Sequence, residues 1–260
     1  MIKNLVKAKM ESGQIAYGTF NAIKDPAIIE MMGHAGYDFT IIDMEHSMTT
    51  LGEVLAMARA ADLSGITPIV RVPRGDTNTV MRVVEAGIPG VIAPHITSAA
   101  DAQAIVDAAK YHPIGQRGMD PSTRSANYHI DSWAEHMTRS NQEVIVMIII
   151  EDREGVENLD EICQVKGVDI GGIGPSDLSR SYGVPGQVDH PDVVAAVRRT
   201  TAKYHEYGIR VQRAGFDDAT VAEAIASGAT MITTPIVDSY FIADCFRTHL
   251  RRIKSVVEAG

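Results

Sequence analysis

The run Val144-Ile145-Val146-Met147-Ile148-Ile149-Ile150, with Glu151-Asp152-Arg153-Glu154 directly behind it, decides the fold of this 260-residue chain. Seven apolar residues, most of them β-branched, are too few to cross a membrane. They read as a strand buried on both faces. The acids behind them open a helix. A second strand follows at 168–173 and closes in Gly174-Pro175-Ser176-Asp177-Leu178-Ser179. Glu151 and Asp177 therefore stand just past the carboxyl ends of two successive strands joined by a helix. In a parallel barrel those ends lie side by side on the face where chemistry is done.

Working outward from this unit, the same alternation recurs along the chain. Strands are expected at 15–21, 38–43, 67–72, 91–94, 144–150, 168–173, 210–213 and 231–236, with helices between them. Asp25-Pro26 is an N-cap followed by Pro at the first helical position, and Gly36, Gly65, Gly87 and Gly228 end helices. Residues 1–14 read as a short helix covering the barrel floor. Eight strands alternating with helices, with no linker or low-complexity segment, predict a single (β/α)8 TIM barrel in the α/β class, one domain over 1–260. An open doubly wound sheet is the alternative, but no G-x-G-x-x-G follows the first strand. Two long loops interrupt the pattern, 115–128 and 179–190. The first is expected to be functional and the second to serve as a lid.

Composition narrows the function classes. Hydrophobic residues make up 45%, and 33 acids against 24 Lys and Arg give a net charge of −9. That balance argues against nucleic acid and anionic membranes as partners. Cys163 and Cys245 have neither C-x-x-C nor metal-site spacing, and the amino-terminal stretch has no apolar core like a signal peptide. A reduced, cytoplasmic protein is expected.

The candidate chemistry gathers at strand ends. Glu151 and Asp177 are two oxygen ligands suited to a hard divalent ion such as Mg²⁺ or Mn²⁺. Their alternative reading is a helix cap and a turn residue. His46 closes Asp43-Met44-Glu45-His46 after the second strand, where a general base belongs. Arg71 ends the third strand and needs an anion, a metal-bound ligand or a carboxylate to meet it. Glu85, at a helix end, is a candidate to hydrogen-bond His46. The free N–H groups at Ser176 and Asp177 fit a substrate carboxylate. His95 is a supporting candidate on the same face.

These pieces resemble one family. I-I-D-M-E-H (41–46), P-I-V-R-V-P (68–73), E-A-G-I-P-G-V-I-A-P-H (85–95), Y-H-P-I-G-Q-R-G (111–118), I-I-E-D-R-E-G (149–155), G-I-G-P-S-D-L-S (172–179) and D-H-P-D-V (189–193) occur in the order of the HpcH/HpaI aldolases. That family comprises class II pyruvate aldolases such as 4-hydroxy-2-oxoheptanedioate aldolase and 5-keto-4-deoxyglucarate aldolase. The resemblance implies a carbon–carbon lyase that cleaves a 4-hydroxy-2-oxo acid to pyruvate and an aldehyde with Mg²⁺, Mn²⁺ or Co²⁺. It implies Glu151 and Asp177 as metal ligands, His46 as base, Glu85 as its supporting acid and Arg71 as the enolate- and oxyanion-stabilising cation. Ser176 is then the residue whose backbone holds the pyruvate carboxylate. It also implies a homo-oligomer, trimer or hexamer, with the C-terminal helix exchanged between subunits. Three positions depart from the family's pattern. Ile149 stands where a substrate-touching Gln is common, Met44 where Gly is usual, and T-T-P-I-V-D (233–238) replaces V-G-x-D. Two other activities stay open on the sequence: a lyase acting on acyl-CoA thioesters, and a non-catalytic 2-oxo-acid binder.

Overall fold

The computed structural model describes residues 3–234 and 237–258. Eight parallel strands close into a barrel in sequence order: β1 (Ala16–Asn21), β2 (Phe39–Asp43), β3 (Thr67–Arg71), β4 (Gly90–Ala93), β5 (Ile145–Ile150), β6 (Ile170–Ile173), β7 (Arg210–Ala214) and β8 (Met231–Thr234). β8 pairs back onto β1 through Ala16 and Met231, so no strand edge is left open. The end of the expected eighth strand, Pro235 and Ile236, lies outside the described residues, as do Met1 and Ile2 of the expected floor helix.

The helices around the barrel are α1 (Leu5–Glu11), α2 (Pro26–His34), α3 (Leu51–Ser64), α4 (Thr77–Glu85), α5 (Ala99–Ala109), α6 (Trp133–Glu143), α7 (Arg153–Glu157), α8 (Leu159–Cys163), α9 (Pro175–Ser181), α10 (Pro191–Glu206), α11 (Asp218–Ala226) and α12 (Asp238–Glu258). Their starts follow local chemistry. Thr50 with Glu53 and Ser98 with Asp101 form reciprocal capping boxes, and Asp25 caps α2 ahead of Pro26. None of the described helices is long and apolar enough to cross a membrane.

β5 shows why its run is apolar throughout. All six of its residues are buried. Ile145, Met147 and Ile149 point into the barrel with Phe39, Ile41, Ile69, Ile92, Ile170 and Met231. Val146, Ile148 and Ile150 join the layer between sheet and helices. α1 closes the floor, with Val6 and Met10 packed into the inner cluster. Asn4 ties it down by donating to the carbonyls of Pro89 and Glu143, both at 3.0 Å.

Both long loops are held by hydrogen bonds within the chain. Loop 115–128 lies on the amino-end face of the barrel, away from the strand ends that carry the acids. Its Arg124 bonds the Ala86 carbonyl just past α4 and pairs with Asp62 on the last turn of α3. Arg117 is buried, its guanidinium donating to Ser125 and Ser140 and stacked on Tyr111 at 4.6 Å. The loop is thus a packed floor element. Loop 179–190 is tethered: Ser179 Oγ donates to the Ser176 carbonyl at 2.6 Å and accepts from the Gly186 N–H at 2.9 Å.

Candidate active site

The carboxyl ends of β2 to β6 bring acidic, basic and histidine side chains into one network. Asp43 and Arg71 are register partners on β2 and β3. Strand twist and shared register therefore place their side chains together. Arg71 donates to Asp43 through Nε at 3.0 Å and Nη2 at 2.7 Å, a two-pronged pairing that fixes the guanidinium plane. The Phe20 ring of β1 lies 4.7 Å from the same guanidinium. Burial alone would push the Asp43 carboxyl up, but Arg71 and the Glu45 and His46 N–H groups outweigh it and hold it below the usual range.

Glu45 is the hub. Its carboxylate lies 3.4 Å from Arg71 Nε, 3.5 Å from His46 Nε2 and 3.7 Å from His95 Nε2. His46 itself stands at the rim with a 61% exposed side chain. His95, by contrast, is enclosed. It adopts φ 55°, a left-handed conformation uncommon outside glycine and a mark of backbone held for a purpose. That turn aims its N–H at Glu151 Oε1, 2.9 Å away, and its Nδ1 at Asp152 Oδ2, 2.8 Å away.

Glu151 is 5% exposed. Burial pushes its carboxyl up to about 7; His95 acts against this, while Asp177 and Glu45 add to it. Its place also explains Gly174, because a Cβ there would stand 2.3 Å from Glu151 Oε2. Asp177, in the first turn of α9, accepts from Arg180 Nε at 3.1 Å, and Arg180 Nη2 reaches Asp152 Oδ1 at 3.2 Å. Ser176 is exposed beside it. Among the described residues no three His, Cys, Asp or Glu side chains form a ready ligand group. Two neighbouring acids, one of them buried and reluctant to ionise alone, fit a divalent ion completed by water and substrate oxygens.

The network unites Arg71, Glu151, Asp177 and His46 with three residues that the sequence reading left unused or secondary: Asp43, Glu45 and His95. A signal for Asp43 was available, since acid and Arg end consecutive strands. Ile149 faces the barrel interior two residues below Glu151 and is 6% exposed. Glu85 is not brought to His46 within the chain. Barrel helices run opposite to the strands, so the last residue of α4 lands on the amino-end face. Its electrostatic neighbours there are Tyr111 and Arg117.

Comparison with known proteins agrees with this geometry. The model of the HpcH/HpaI aldolase/citrate lyase family matches residues 16–241. A hydroxypyruvate/pyruvate aldolase of Sagittula stellata is 32% identical over 234 residues, 90% of this chain and 92% of that protein. A 5-keto-4-deoxy-D-glucarate aldolase of Shigella boydii is 29% identical over 205 residues, 79% of each. The crystal structure of the citrate synthase SbnG superposes with a TM-score of 0.90 at 29% identity, covering 98% of this chain and all of that one. The chain belongs to the HpcH/HpaI aldolase/citrate lyase family and is a carbon–carbon lyase.

Proposed function

We propose that this chain catalyses divalent-metal-dependent aldol cleavage and condensation, splitting a 4-hydroxy-2-oxo acid into a pyruvate-type 2-oxo acid and an aldehyde. The observation that carries this reading is the place of Glu151, a carboxyl only 5% exposed with Asp177 and Glu45 as acidic neighbours, where burial opposes ionisation without a counter-charge. Such a group calls for a cation. Glu151 and Asp177 would hold Mg²⁺, Mn²⁺ or Co²⁺, which when bound supplies Lewis acidity toward the oxo acid's oxygens.

The chain's own residues do the rest. The Ser176 and Asp177 N–H groups at the start of α9 orient the substrate carboxylate. Arg71, held in plane by Asp43 and Phe20, faces the oxygen on which negative charge develops. His46 takes the C4 hydroxyl proton in cleavage and returns it to the aldehyde oxygen in condensation. Glu45 and His95 keep the surrounding charges in register. Ile149 supplies an apolar wall beneath the acids. Glu85 stays outside this relay in one subunit, and a contact with His46 has to cross an interface of the proposed trimer or hexamer. Exposed Phe241, Phe246, Leu250 and Ile253 on α12 support exchange of that helix between subunits. A cytoplasmic protein acting on small molecules, without nucleic acid or membrane, completes the reading.

The likeness to a citrate synthase favours a second reading, a reaction on an acyl-CoA thioester. Glu45, Asp152 and Asp177 at the mouth suit the phosphates of such a substrate poorly. The test is pyruvate release from racemic 4-hydroxy-2-oxo acids with each metal and with EDTA. Metal-dependent release is expected. Cleavage of an acyl-CoA alone would establish the second reading, and binding without turnover would leave a 2-oxo-acid binder.

A further inference from the structure

Gln212 is a carboxamide beside the apolar cluster of the barrel interior, which includes Ile145, Met147, Ile149, Ile170 and Met231. It is 7% exposed. β6 pairs Gly171 with Val211 and Ile149 with Gly172, so Gly172 lies between Ile149 and Gln212. The missing side chain at Gly172 is what lets the neighbours meet. A Cβ there would stand 2.6 Å from Met147 Cε, 2.9 Å from Gln212 Oε1 and 3.4 Å from Ile149 Cγ1. The amide therefore crosses over Gly172, one inward-facing layer below Glu151 and Gly174. Its Nε2 is held by Thr233 Oγ1 at 2.7 Å, and among the described residues this is its one hydrogen-bond partner. The carbonyl edge and the second N–H are left for something else. The free carbonyl edge is not sealed from solvent, so a water satisfies it until a ligand group of the right chemistry takes its place.

We propose that Gln212 is a specificity residue: its carboxamide recognises a hydroxyl on the 2-oxo acid bound above it. This rests on the function proposed above. A carbonyl edge needs a donor and an N–H needs an acceptor, and a hydroxyl is both. The part of the oxo acid that points down the barrel axis from Glu151 meets Ile149 on one side and Gln212 on the other. A methyl at C3 leaves the amide unused. A hydroxyl at C3 satisfies it, so the site takes a 3-hydroxy-2-oxo acid in preference to pyruvate.

The test is calorimetric titration of the full-length, Mn²⁺-loaded protein with hydroxypyruvate and with pyruvate. The native protein is expected to favour hydroxypyruvate, and Gln212→Met to lower the ratio of the two affinities roughly tenfold, the scale of one hydrogen bond to a buried group. Thr233→Val, which frees the amide without emptying the site, is expected to lower the ratio by less. It decides the matter if circular dichroism shows that Gln212→Met does not fold. The same ratio in the native protein and the folded variants overturns the proposal. Aldol addition of each acid to glycolaldehyde by the native protein is scored separately. Carbon–carbon bond formation with an unchanged ratio removes Gln212 alone. A changed ratio without bond formation removes the aldolase reading and leaves the recognition in place.

Discussion

Glu151→Gln should stabilise the metal-free protein while abolishing its activity. The carboxyl moves from an ordinary 4.5 to about 7 on folding, chiefly through burial. The folded chain thus binds this proton more tightly than the unfolded chain does. The metal-free fold is unpenalised below about pH 4.5, weakens as pH rises through about 7, and carries the full cost above that. At about 1.4 kcal/mol per pH unit, that cost at pH 8 is about 3 kcal/mol. Gln fills the same volume, still accepts the His95 N–H, and carries no charge. In EDTA at pH 8 the variant should therefore melt higher than the native protein, by roughly 6–12 °C at the usual 2–4 °C per kcal/mol for a chain of this size. At pH 5 most of the difference should vanish. Mn²⁺ should raise the melting temperature of the native protein at pH 8 and leave the variant nearly unmoved. The assay is thermal unfolding by circular dichroism at both pH values, with EDTA and with Mn²⁺. A variant less stable than the native protein at pH 8, or a difference independent of pH, refutes the reasoning about Glu151.

Two further outcomes follow from the same network. Asp43→Ala leaves Arg71, 14% exposed, without its two-pronged partner, and should cost about 3 kcal/mol, the lower end for breaking a buried pair. Chemical denaturation at pH 7 measures it, and because the Asp43 carboxyl is held low, the deficit should shrink as pH falls through its range. His46→Ala should lower the rate of aldol cleavage by roughly 10²- to 10⁴-fold with little change in stability, since the side chain is largely exposed. An unchanged pH–rate profile in that variant would remove His46 from the proton transfer.

The alternation of apolar strands and capped helices determined a parallel α/β architecture of eight strands by itself, and the pairing of β8 with β1 closed it into a barrel. The run at 144–150 has to be covered on both faces, as a strand inside a parallel sheet is. The placement of Glu151, Asp177, Arg71 and His46 was also legible, because a polar residue at or directly past the end of a buried strand falls at the carboxyl-end face wherever the barrel closes. Tertiary structure alone decided the rest. His95 looks like a loop histidine until its left-handed turn sets it against Glu151 and Asp152, more than fifty residues on. Glu85 opens the E-A-G-I-P-G stretch that leads into β4 in sequence, yet helix direction carries it to the opposite face. Arg210-Val211-Gln212-Arg213-Ala214 has no apolar alternation to mark an interior position, and only register with Gly172 shows that Gln212 enters the barrel. In each case the deciding contact joins residues distant in sequence. Strand register and barrel closure set such contacts, and local hydrophobic periodicity does not encode either.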